Sequence, residues 1–490
     1  MQESRSALLI VLASMMISIG AHWTIFNTDL IGVHLWRQSQ NEWYVRNFMR
    51  EDNNILNPRI PAHNLGSKGN LLRYEFPLMQ WSIAQVKQFV GDSIWVTRSM
   101  MFLIGLFCIW GIYLLLVQIW SQKIVAALTA WTFCYSPVFY YYMINPMSDI
   151  WALCAQIWMM VWLVKFIRTQ KFSHFIWSAV FLMLAGLFKL PFFMFGIMLL
   201  TESFYAYLRI NHSSSILLKK LFVLFAITIP VAAWYIFAIK DWGYMGVLKG
   251  VTAQANLSDL FVYFKFALFH WLPLHLVNVF AMIFLLIGTW ILIRRKVFTP
   301  SLSWIFSAGL IITLLYYVYE INMIAKVHDY YMLPFLVWLH LGIAVGIRSI
   351  DWAKSRFLWQ ILFIGMPVYT YFKIMPFWNI NRNGYKKDWF NYSADLKSVV
   401  PRDSLCIILN DNSGVVVPYV IDHQGYVFDK DDLPAMWVED MILHRRATYM
   451  YSDSRIVDTS AGVVPFIDSL LLEKGEVRVF RLVDKIKIQR

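Results

Sequence analysis

The chain has 490 residues, of which 59% are hydrophobic, 17% aromatic and only 15% charged. Soluble domains usually carry about 25% charged residues, so the composition excludes an ordinary soluble protein and favours membrane-spanning helices. The net charge of +13 does not indicate nucleic-acid binding, because most basic residues fall in short loops between apolar runs. The four cysteines do not form the pattern of a disulfide framework.

The apolar runs predict an all-α polytopic membrane domain. The first run, at 7–26, is long enough to span a bilayer and has no cleavage motif after it, so we expect a retained helix. A long polar and aromatic segment follows at 27–95. Ten further runs bring the prediction to about eleven spans of about 20 residues each; they lie near 98–118, 124–142, 149–168, 172–189, 191–208, 220–239, 273–293, 302–320, 329–347 and 357–375.

Charge predicts the orientation of these spans. With the N-terminus in the cytoplasm, every inner loop is basic, as the positive-inside rule requires. These inner loops contain Lys123; Lys165, Arg168 and Lys171; Arg209, Lys219 and Lys220; Arg294, Arg295 and Lys296; and Arg348, Lys354 and Arg356. An odd number of spans then places the C-terminus outside, together with the first loop and the loops near 240–272 and 320–328. We therefore expect a multi-pass membrane protein whose C-terminal part lies outside the cytoplasm.

The composition changes after about residue 379, where short strands alternate with helices. Strands are predicted at 404–410, 425–428, 447–451 and 477–482, and helices at 415–422, 433–446 and 465–474. This alternation predicts a small α/β domain. The predicted domains are thus a membrane domain at 1–378, which includes the first outer loop at 27–95, and an extracytoplasmic α/β domain at 379–490. The turn 410–414 is predicted to be either a ligand loop or a simple helix cap.

The first outer loop is long and combines aromatic and basic residues, which is more typical of a functional loop than of a connector. Amphipathic stretches such as 42–50 are predicted to form helices along the membrane surface. Basic residues on the outer side fit a phosphate, although attraction to anionic lipid head groups is an alternative for each of them. The candidate substrate or phosphate ligands in this segment are Arg37, Gln38, Arg46, Arg59, Lys68, Arg73 and Tyr74.

Acidic side chains at the outer ends of spans are candidate catalytic groups. Glu75 precedes Phe76-Pro77, and Asp149 opens a span; carboxylates at such depth are costly and usually mark a site. Either carboxylate is suited to take a proton from a hydroxyl nucleophile, although Asp149 is also suited to cap its helix. Asp29 and His34, at the start of the first loop, are further candidates for the catalytic acid or base.

A third outer patch contains Lys326, His328, Tyr330 and Tyr331. Lys326 and His328 can neutralise a phosphate, and the tyrosines can donate to it or stack on a sugar; the alternative is an interfacial belt. The chain has no metal-binding motif, nucleophile elbow or phosphate-cradling glycine loop.

These motifs resemble the membrane-embedded glycosyltransferases of the GT-C class, which use lipid-linked sugars. The similarity is to the bacterial branch that includes aminoarabinose transferases of lipid A and protein O-mannosyltransferases, and it covers about residues 7–375. The residues that carry it are His34-x-Trp36-Arg37-Gln38, Glu75-Phe76-Pro77, Asp149, and His328-Asp329-Tyr330-Tyr331 with Pro334.

The resemblance implies transfer of a sugar from a polyprenyl-phosphate donor to a hydroxyl of lipopolysaccharide, another surface glycan or a protein, with inversion. It also implies an early catalytic acid in the first loop, where this chain has Arg37-Gln38 instead. Asp149 with Glu75 or Asp29 is then the expected proton acceptor, and His34 is an alternative. Relatives differ in metal dependence, so the resemblance implies no particular cofactor.

Two other functions remain compatible with the sequence. A transporter or flippase for a lipid-linked glycan is expected to carry charges near the membrane midplane, and Lys189, between two apolar runs, is the ambiguous residue in this respect. A non-catalytic subunit of a glycan-assembly complex would explain the missing early acid.

Overall fold

The computed structural model describes residues 2–64, 69–209, 213–242, 257–326, 328–352, 354, 356–429, 431 and 433–483. These residues form two compact units. The first, here called the helical unit, contains Met1–Thr28, Tyr74–Met79 and Ser93–Pro376. The second, here called the mixed unit, contains Asp29–Arg73, Gln80–Asp92 and Phe377–Arg490. The candidate phosphate ligand Lys68 lies outside the described residues.

Helices dominate the chain up to residue 374. In chain order, the described α-helices of this part are α1 Gln2–Ala21, α2 Leu35–Arg50, α3 Leu78–Val90, α4 Ile94–Trp120, α5 Lys123–Cys134, α6 Pro137–Tyr142, α7 Ser148–Thr169, α8 Phe172–Phe188, α9 Gly196–Arg209, α10 Ser214–Trp242, α11 Leu257–Phe266, α12 Met282–Arg294, α13 Pro300–Tyr319, α14 Ile321–Lys326, α15 Leu336–Arg348 and α16 Arg356–Ile374. Short 3-10 segments at Leu190–Phe195 and Asp329–Phe335 and a π-helix at Ala267–Val277 connect some of them.

The helical unit is that of a multi-pass membrane protein. Among the described residues, nine helical segments are long and apolar enough to cross a bilayer, and three shorter apolar helices accompany them. The predicted number of eleven spans is not confirmed. One reason is Ser258–Val277, which forms a candidate span where an outer loop was expected. Another is the predicted run 124–142, which is divided into α5 and α6 because Pro137 starts a new helix.

Close helix packing in this unit depends on small residues. Helices α12 and α15 pack against each other, and a Cβ atom added at Gly288 would lie 1.9 Å from the carbonyl oxygen of Gly342. The same addition at Gly346 would lie 1.9 Å from the carbonyl oxygen of Phe284. The glycines therefore allow the two backbones to touch, as is common between helices in membranes.

The C-terminal part of the mixed unit is built on a five-stranded sheet. Its strands are β1 Leu405–Ile408, β2 Gln424–Val427, β3 Ala447–Ser452, β4 Ile467–Lys474 and β5 Val477–Leu482. The strand order is β2-β1-β3-β5-β4; β1 is parallel to β2 and β3, and β5 is antiparallel to β3 and β4. The accompanying helices are α17 Asp388–Asn391, α18 Ser393–Ser398, α19 Val416–Ile421, α20 Ala435–Leu443 and α21 Arg455–Asp458.

The prediction of a helix at 465–474 is wrong, because this segment forms β4. Lys474 pairs with Val477 across a two-residue turn, and Gly475 takes the positive φ of +58° that the turn requires. The run of apolar residues in β4 is compatible with either structure by itself. Pairing with β5 makes this segment a strand. The four predicted strands and the other two predicted helices are found.

Part of the first loop pairs with this sheet inside the mixed unit. The His63 N–H donates to the Gly425 carbonyl at 2.8 Å, and the Gly425 N–H donates to the Pro61 carbonyl at 3.1 Å. Since β2 is the edge strand, residues 61–63 cover its open side. The compact units therefore differ from the predicted domains: the loop segments 29–73 and 80–92 cluster with 377–490 rather than with the spans.

The polar turn after β1 acts as a helix cap. Asp411 accepts hydrogen bonds at 2.8 Å from the backbone N–H of both Ser413 and Val417. The Tyr385 hydroxyl donates to the same carboxylate at 3.1 Å. Because Val417 lies in the first turn of α19, the carboxylate satisfies a backbone donor that the helix leaves unpaired.

Candidate functional site

The centre of the candidate site is Lys189, which lies where α8 ends. Its backbone is extended, with φ −159° and ψ 112°, and Pro191 follows it in the next short helix. Pro191 has no backbone N–H to donate to the carbonyl four residues earlier, so the α-helix stops here. The Lys189 side chain is only 9% exposed and therefore needs an anionic partner.

Two carboxylates of the helical unit supply that partner. The Lys189 ammonium donates to Glu75 Oε1 at 2.7 Å, and its distance to Asp149 Oδ1 is 3.7 Å. Asp149 is buried in the first turn of α7, where the helix dipole favours a negative charge. The structure thus brings together two of the three acids that the sequence identified as catalytic candidates, Glu75 and Asp149, beside one lysine.

The backbone around Glu75 is fixed by neighbouring helices. The Phe76 N–H donates to the Leu187 carbonyl at 3.0 Å, two residues before Lys189. The Tyr74 carbonyl accepts from Trp234 Nε1 at 3.1 Å, and the rings of Phe76 and Trp234 pack edge to face with centroids 5.0 Å apart. These contacts position the Glu75 carboxylate toward the end of α8.

Two tyrosines lie beside the ammonium. Lys189 Nζ is 4.9 Å from the ring centroid of Tyr331 and 5.8 Å from that of Tyr330, distances at which a cation is attracted to an aromatic face. The Tyr330 hydroxyl and His328 Nδ1 share a hydrogen bond of 2.8 Å. The outer patch predicted at 328–331 is therefore part of the same cluster as Lys189.

A further hydrogen bond fixes this tyrosine segment. The Tyr142 hydroxyl, at the end of α6, donates to the Asp329 carboxylate. Tyr142 and Tyr330 also pack edge to face, with ring centroids 5.7 Å apart. Because both Tyr142 and Tyr330 are buried, the segment that carries His328 and Tyr331 is held in a defined position.

This cluster has groups suited to transfer chemistry. The carboxylates of Glu75 and Asp149 can accept a proton, and the ammonium of Lys189 can stabilise a developing negative charge. The tyrosine hydroxyls are hydrogen-bond donors and their rings can pack on a sugar. No group of three or more His, Cys, Asp or Glu side chains suited to a metal ion is found in the described ranges.

Most first-loop candidates lie in the mixed unit. Asp29 is exposed, accepts a hydrogen bond from the Tyr419 hydroxyl and lies 3.9 Å from Lys397 Nζ. Arg46 donates to Asp422 Oδ1 and to the Tyr419 carbonyl, at 2.9 Å each. The contacts described for these two residues are thus with the C-terminal part of the chain, and their predicted roles stay predictions.

The residues at the position of the expected early acid are buried at the start of α2. The Arg37 guanidinium donates to Gln40 Oε1 at 2.8 Å, and Gln38 Nε2 donates to the Val33 carbonyl at 2.8 Å. His34 precedes the helix with a positive φ of 54°, a conformation that few residue types other than glycine, asparagine, aspartate and histidine adopt.

The remaining candidates are placed as follows. Arg59 donates to Asn70 Oδ1 at 3.1 Å, and Arg73 donates to the Leu56 carbonyl at 3.0 Å. Both contacts lie within the first loop and shape it. The Lys326 side chain lies outside the described part of the chain.

Lys189 is the site residue that the sequence did not assign. The available signal was a single basic residue in Phe188-Lys189-Leu190-Pro191 between two apolar runs, which also fits a transporter. Its contacts with Glu75 and Asp149 place it in the carboxylate cluster instead.

One family model matches part of the chain. The family model of dolichyl-phosphate-mannose-protein mannosyltransferases matches residues 75–234, about a third of the chain. This stretch includes Glu75, Asp149 and Lys189. A search among curated proteins found no significant match.

Solved structures match over nearly the full length. ArnT from Cupriavidus metallidurans in the apo state has a TM-score of 0.68 at 13% identity, with 99% of each chain covered. ArnT from the same organism bound to undecaprenyl phosphate has a TM-score of 0.66 at 11% identity, with the same coverage. An oligosaccharyltransferase from Archaeoglobus fulgidus has a TM-score of 0.53 at 15% identity, over 94% of this chain and 71% of that chain.

These matches confirm the predicted resemblance to glycosyltransferases of the GT-C class. At such low identity the structures establish the fold, and the family model adds a sequence pattern over the segment that carries the cluster. The chain therefore has the GT-C fold, and residues 75–234 carry the sequence pattern of the dolichyl-phosphate-mannose-protein mannosyltransferase family.

Proposed function

We propose that this protein is a glycosyltransferase that moves a sugar from a polyprenyl-phosphate donor to an acceptor hydroxyl. The observation that carries the proposal is the position of Lys189, 2.7 Å from Glu75 and 3.7 Å from Asp149, beside two tyrosines. The solved ArnT structure bound to undecaprenyl phosphate supports a lipid phosphate as part of the donor.

The proposed reaction is a single displacement at the anomeric carbon. The acceptor oxygen forms a bond to this carbon as the bond from the carbon to the phosphate oxygen breaks, so the configuration inverts. The hydroxyl proton goes to a carboxylate, and the lipid phosphate leaves with the electron pair. Positive charge near the leaving phosphate lowers the barrier, because charge develops there in the transition state.

We assign the proton to Asp149 and the positive charge to Lys189. Glu75 is already engaged by the ammonium at 2.7 Å, which suits it to hold Lys189 in place. Asp149 lies beyond hydrogen-bond distance of the same ammonium, at 3.7 Å. We therefore assign the proton to the carboxylate that is not the hydrogen-bond partner of this ammonium.

We further propose that the reaction occurs on the outer face of the bacterial cytoplasmic membrane. The basic residues of the inner loops support an outer C-terminus through the positive-inside rule. A reporter that is active only in the periplasm, fused after Arg490, is expected to be active. A reporter active only in the cytoplasm at that position would reverse the proposed orientation.

A direct assay tests the enzyme. Purified full-length protein is incubated with a pool of polyprenyl-phosphate sugars and a membrane extract, and the lipids, glycans and proteins are analysed by mass spectrometry. The expected result is free polyprenyl phosphate together with an acceptor that has gained one sugar mass. Transfer should be lost in the Asp149→Asn variant.

Two outcomes would contradict the proposal. Movement of intact lipid-linked sugar across proteoliposomes without cleavage would indicate a flippase. No sugar loss from any carrier, with protein that remains folded, would favour a non-catalytic subunit. The acceptor whose mass increases, whether lipopolysaccharide, another glycan or a protein, would identify the substrate class.

A further inference from the structure

The mixed unit contains a cleft that the proposed reaction does not use. Its volume is about 320 Å³, at the lower end of the range of about 300–1,000 Å³ that is usual for small-ligand pockets. Residues of α2 form one side, and the segments around β1 and the start of β2 form the other. The lining residues are Trp43, Arg46, Arg50, Glu51, Arg402, Asp403, Ser404, Leu405, Asp422 and Gln424.

The walls of the cleft are held by one carboxylate. Arg46 and Arg50 both donate to Asp422 Oδ1, at 2.9 and 2.8 Å. Arg402 Nη2 lies 3.3 Å from Asp422 Oδ2. Asp422 thus connects α2 with the C-terminal segment.

Several polar groups of the lining remain available for a ligand. The Asp403 carboxylate and the Ser404 hydroxyl make no hydrogen bond or ion pair in the described part of the chain. The Arg402 side chain is 54% exposed. Trp43 is 3% exposed and forms part of the wall.

The charges of the lining select a class of ligand. Three guanidinium groups disfavour a cation, and the carboxylates of Glu51, Asp403 and Asp422 disfavour an anion. A neutral molecule with many hydroxyls satisfies both sets, because a hydroxyl donates to a carboxylate and accepts from a guanidinium. Hydrogen bonds that involve a charged group are about twice as strong as neutral ones.

We propose that this cleft binds a neutral saccharide. Asp403 and Glu51 accept from its hydroxyls, and Arg402 and Ser404 donate to its oxygens. This binding is separate from the catalytic cluster of the helical unit and does not depend on the proposed transfer reaction.

The test measures binding to the full-length protein in lipid nanodiscs that contain no glycolipid, because sugar-based detergents would occupy the cleft. The probes are the methyl α-glycosides of glucose, mannose and galactose, with glucose 1-phosphate and glucosamine as charged counterparts. Saturation-transfer NMR and tryptophan fluorescence report binding. At least one neutral glycoside is expected to bind, and to bind more tightly than its charged counterparts.

Variants locate the binding. Arg402→Ala and Asp403→Asn are each expected to weaken it about tenfold, the loss expected for one hydrogen bond to a charged group. Arg445→Ala is the matched control, since Arg445 is an exposed arginine of the same unit that pairs with Asp440 at 2.6 Å and does not line the cleft. Glu75→Gln should leave this binding unchanged.

Three results would overturn the proposal: no neutral glycoside binds, a charged probe binds more tightly than every neutral one, or both cleft variants bind normally. Binding lost in Glu75→Gln but retained in the cleft variants would assign the sugar to the catalytic cluster instead. Normal saccharide binding together with no transfer activity would leave this inference standing while the proposed function fails.

Discussion

The two compact units use the same charged residue types in different ways. In the helical unit, Lys189 is buried with two carboxylates and two aromatic rings. In the mixed unit, ion pairs form a chain in which Lys87 joins Glu42 to Asp92, and Arg50 joins Asp92 to Asp422. Loss of Lys189 should therefore be severe, because two carboxylates share it. Loss of one carboxylate in the mixed unit should be absorbed more easily, because Arg50 pairs with both Asp92 and Asp422.

The largest effect is expected for the group assigned to proton transfer. Asp149→Asn preserves the shape of the side chain but removes its basicity, so transfer should fall by about 10²–10⁴-fold. The measurement is the initial rate of sugar transfer from a polyprenyl-phosphate donor. Asp351→Asn is the control, because Asp351 is an exposed aspartate outside the cluster, and it should have the wild-type rate. Normal transfer by folded Asp149→Asn would remove Asp149 from the mechanism.

The second effect concerns the stability of the helical unit. Lys189→Ala removes the ammonium that pairs with the buried Asp149 and the partly buried Glu75, which is expected to lower the free energy of unfolding by about 3–5 kcal/mol. Thermal unfolding of the purified protein in detergent measures the loss. Adding Glu75→Gln to Lys189→Ala should restore part of it, because one buried charge is then removed. If the double variant is no more stable than Lys189→Ala, the ion pair is not the reason for the loss.

A smaller loss of unfolding free energy is expected when Asp422, the shared carboxylate of the mixed unit, is replaced. Asp422→Asn removes the carboxylate that accepts from Arg46 and Arg50 and forms an ion pair with Arg402. Arg50 keeps Asp92 as a partner, so the cost should be about 1–2 kcal/mol, between the values typical of exposed and buried pairs. The free energy of unfolding of Asp422→Asn is compared with that of Asp440→Asn, which breaks an exposed ion pair and serves as the control. Asp422→Asn should lose more. A loss as large as that of Lys189→Ala would contradict the contrast between the units.

The smallest effect is a pH dependence of the mixed unit. Burial lowers the pKa of His63 below its ordinary value of 6.5; the hydrogen bond with Gln424 opposes this, and the charge of Arg59 adds to it. The unfolded chain therefore binds more protons than the folded one just below pH 6.5, so the free energy of unfolding falls as pH decreases through that window. His63→Gln should reduce this dependence, and the exposed His444→Gln should not. An unchanged profile in His63→Gln would assign the dependence to other groups.

Much of the helical unit was predictable because its signals are local. Each apolar run contains enough information to indicate a helix, and Glu75 and Asp149 stand out because carboxylates at the ends of such runs are rare. The segment at 465–474 shows the limit of this approach. Its residues fit a helix or a strand, and only the partner strand β5 decides.

The candidate site was predictable only in part. Asp149 and the segment 328–331 were identified separately, as features of two outer boundaries. Their association with Lys189 was not predictable, because the sequence of one helix end does not specify which other end it will meet. The first-loop arginines were predicted to meet a phosphate, whereas Arg46 in the structure contacts Asp422, 376 residues later in the chain.

The sequence by itself determined the class of the molecule: a multi-pass membrane protein with a mixed C-terminal part. Composition and periodicity decide this, since they depend on neighbouring residues and on transfer of apolar side chains out of water. The tertiary structure decided which charges meet. It placed Lys189 beside Glu75, 114 residues away, and joined the first loop to the C-terminal sheet. Such contacts depend on packing of distant segments, where the cost of burying a charge is met only by the right partner.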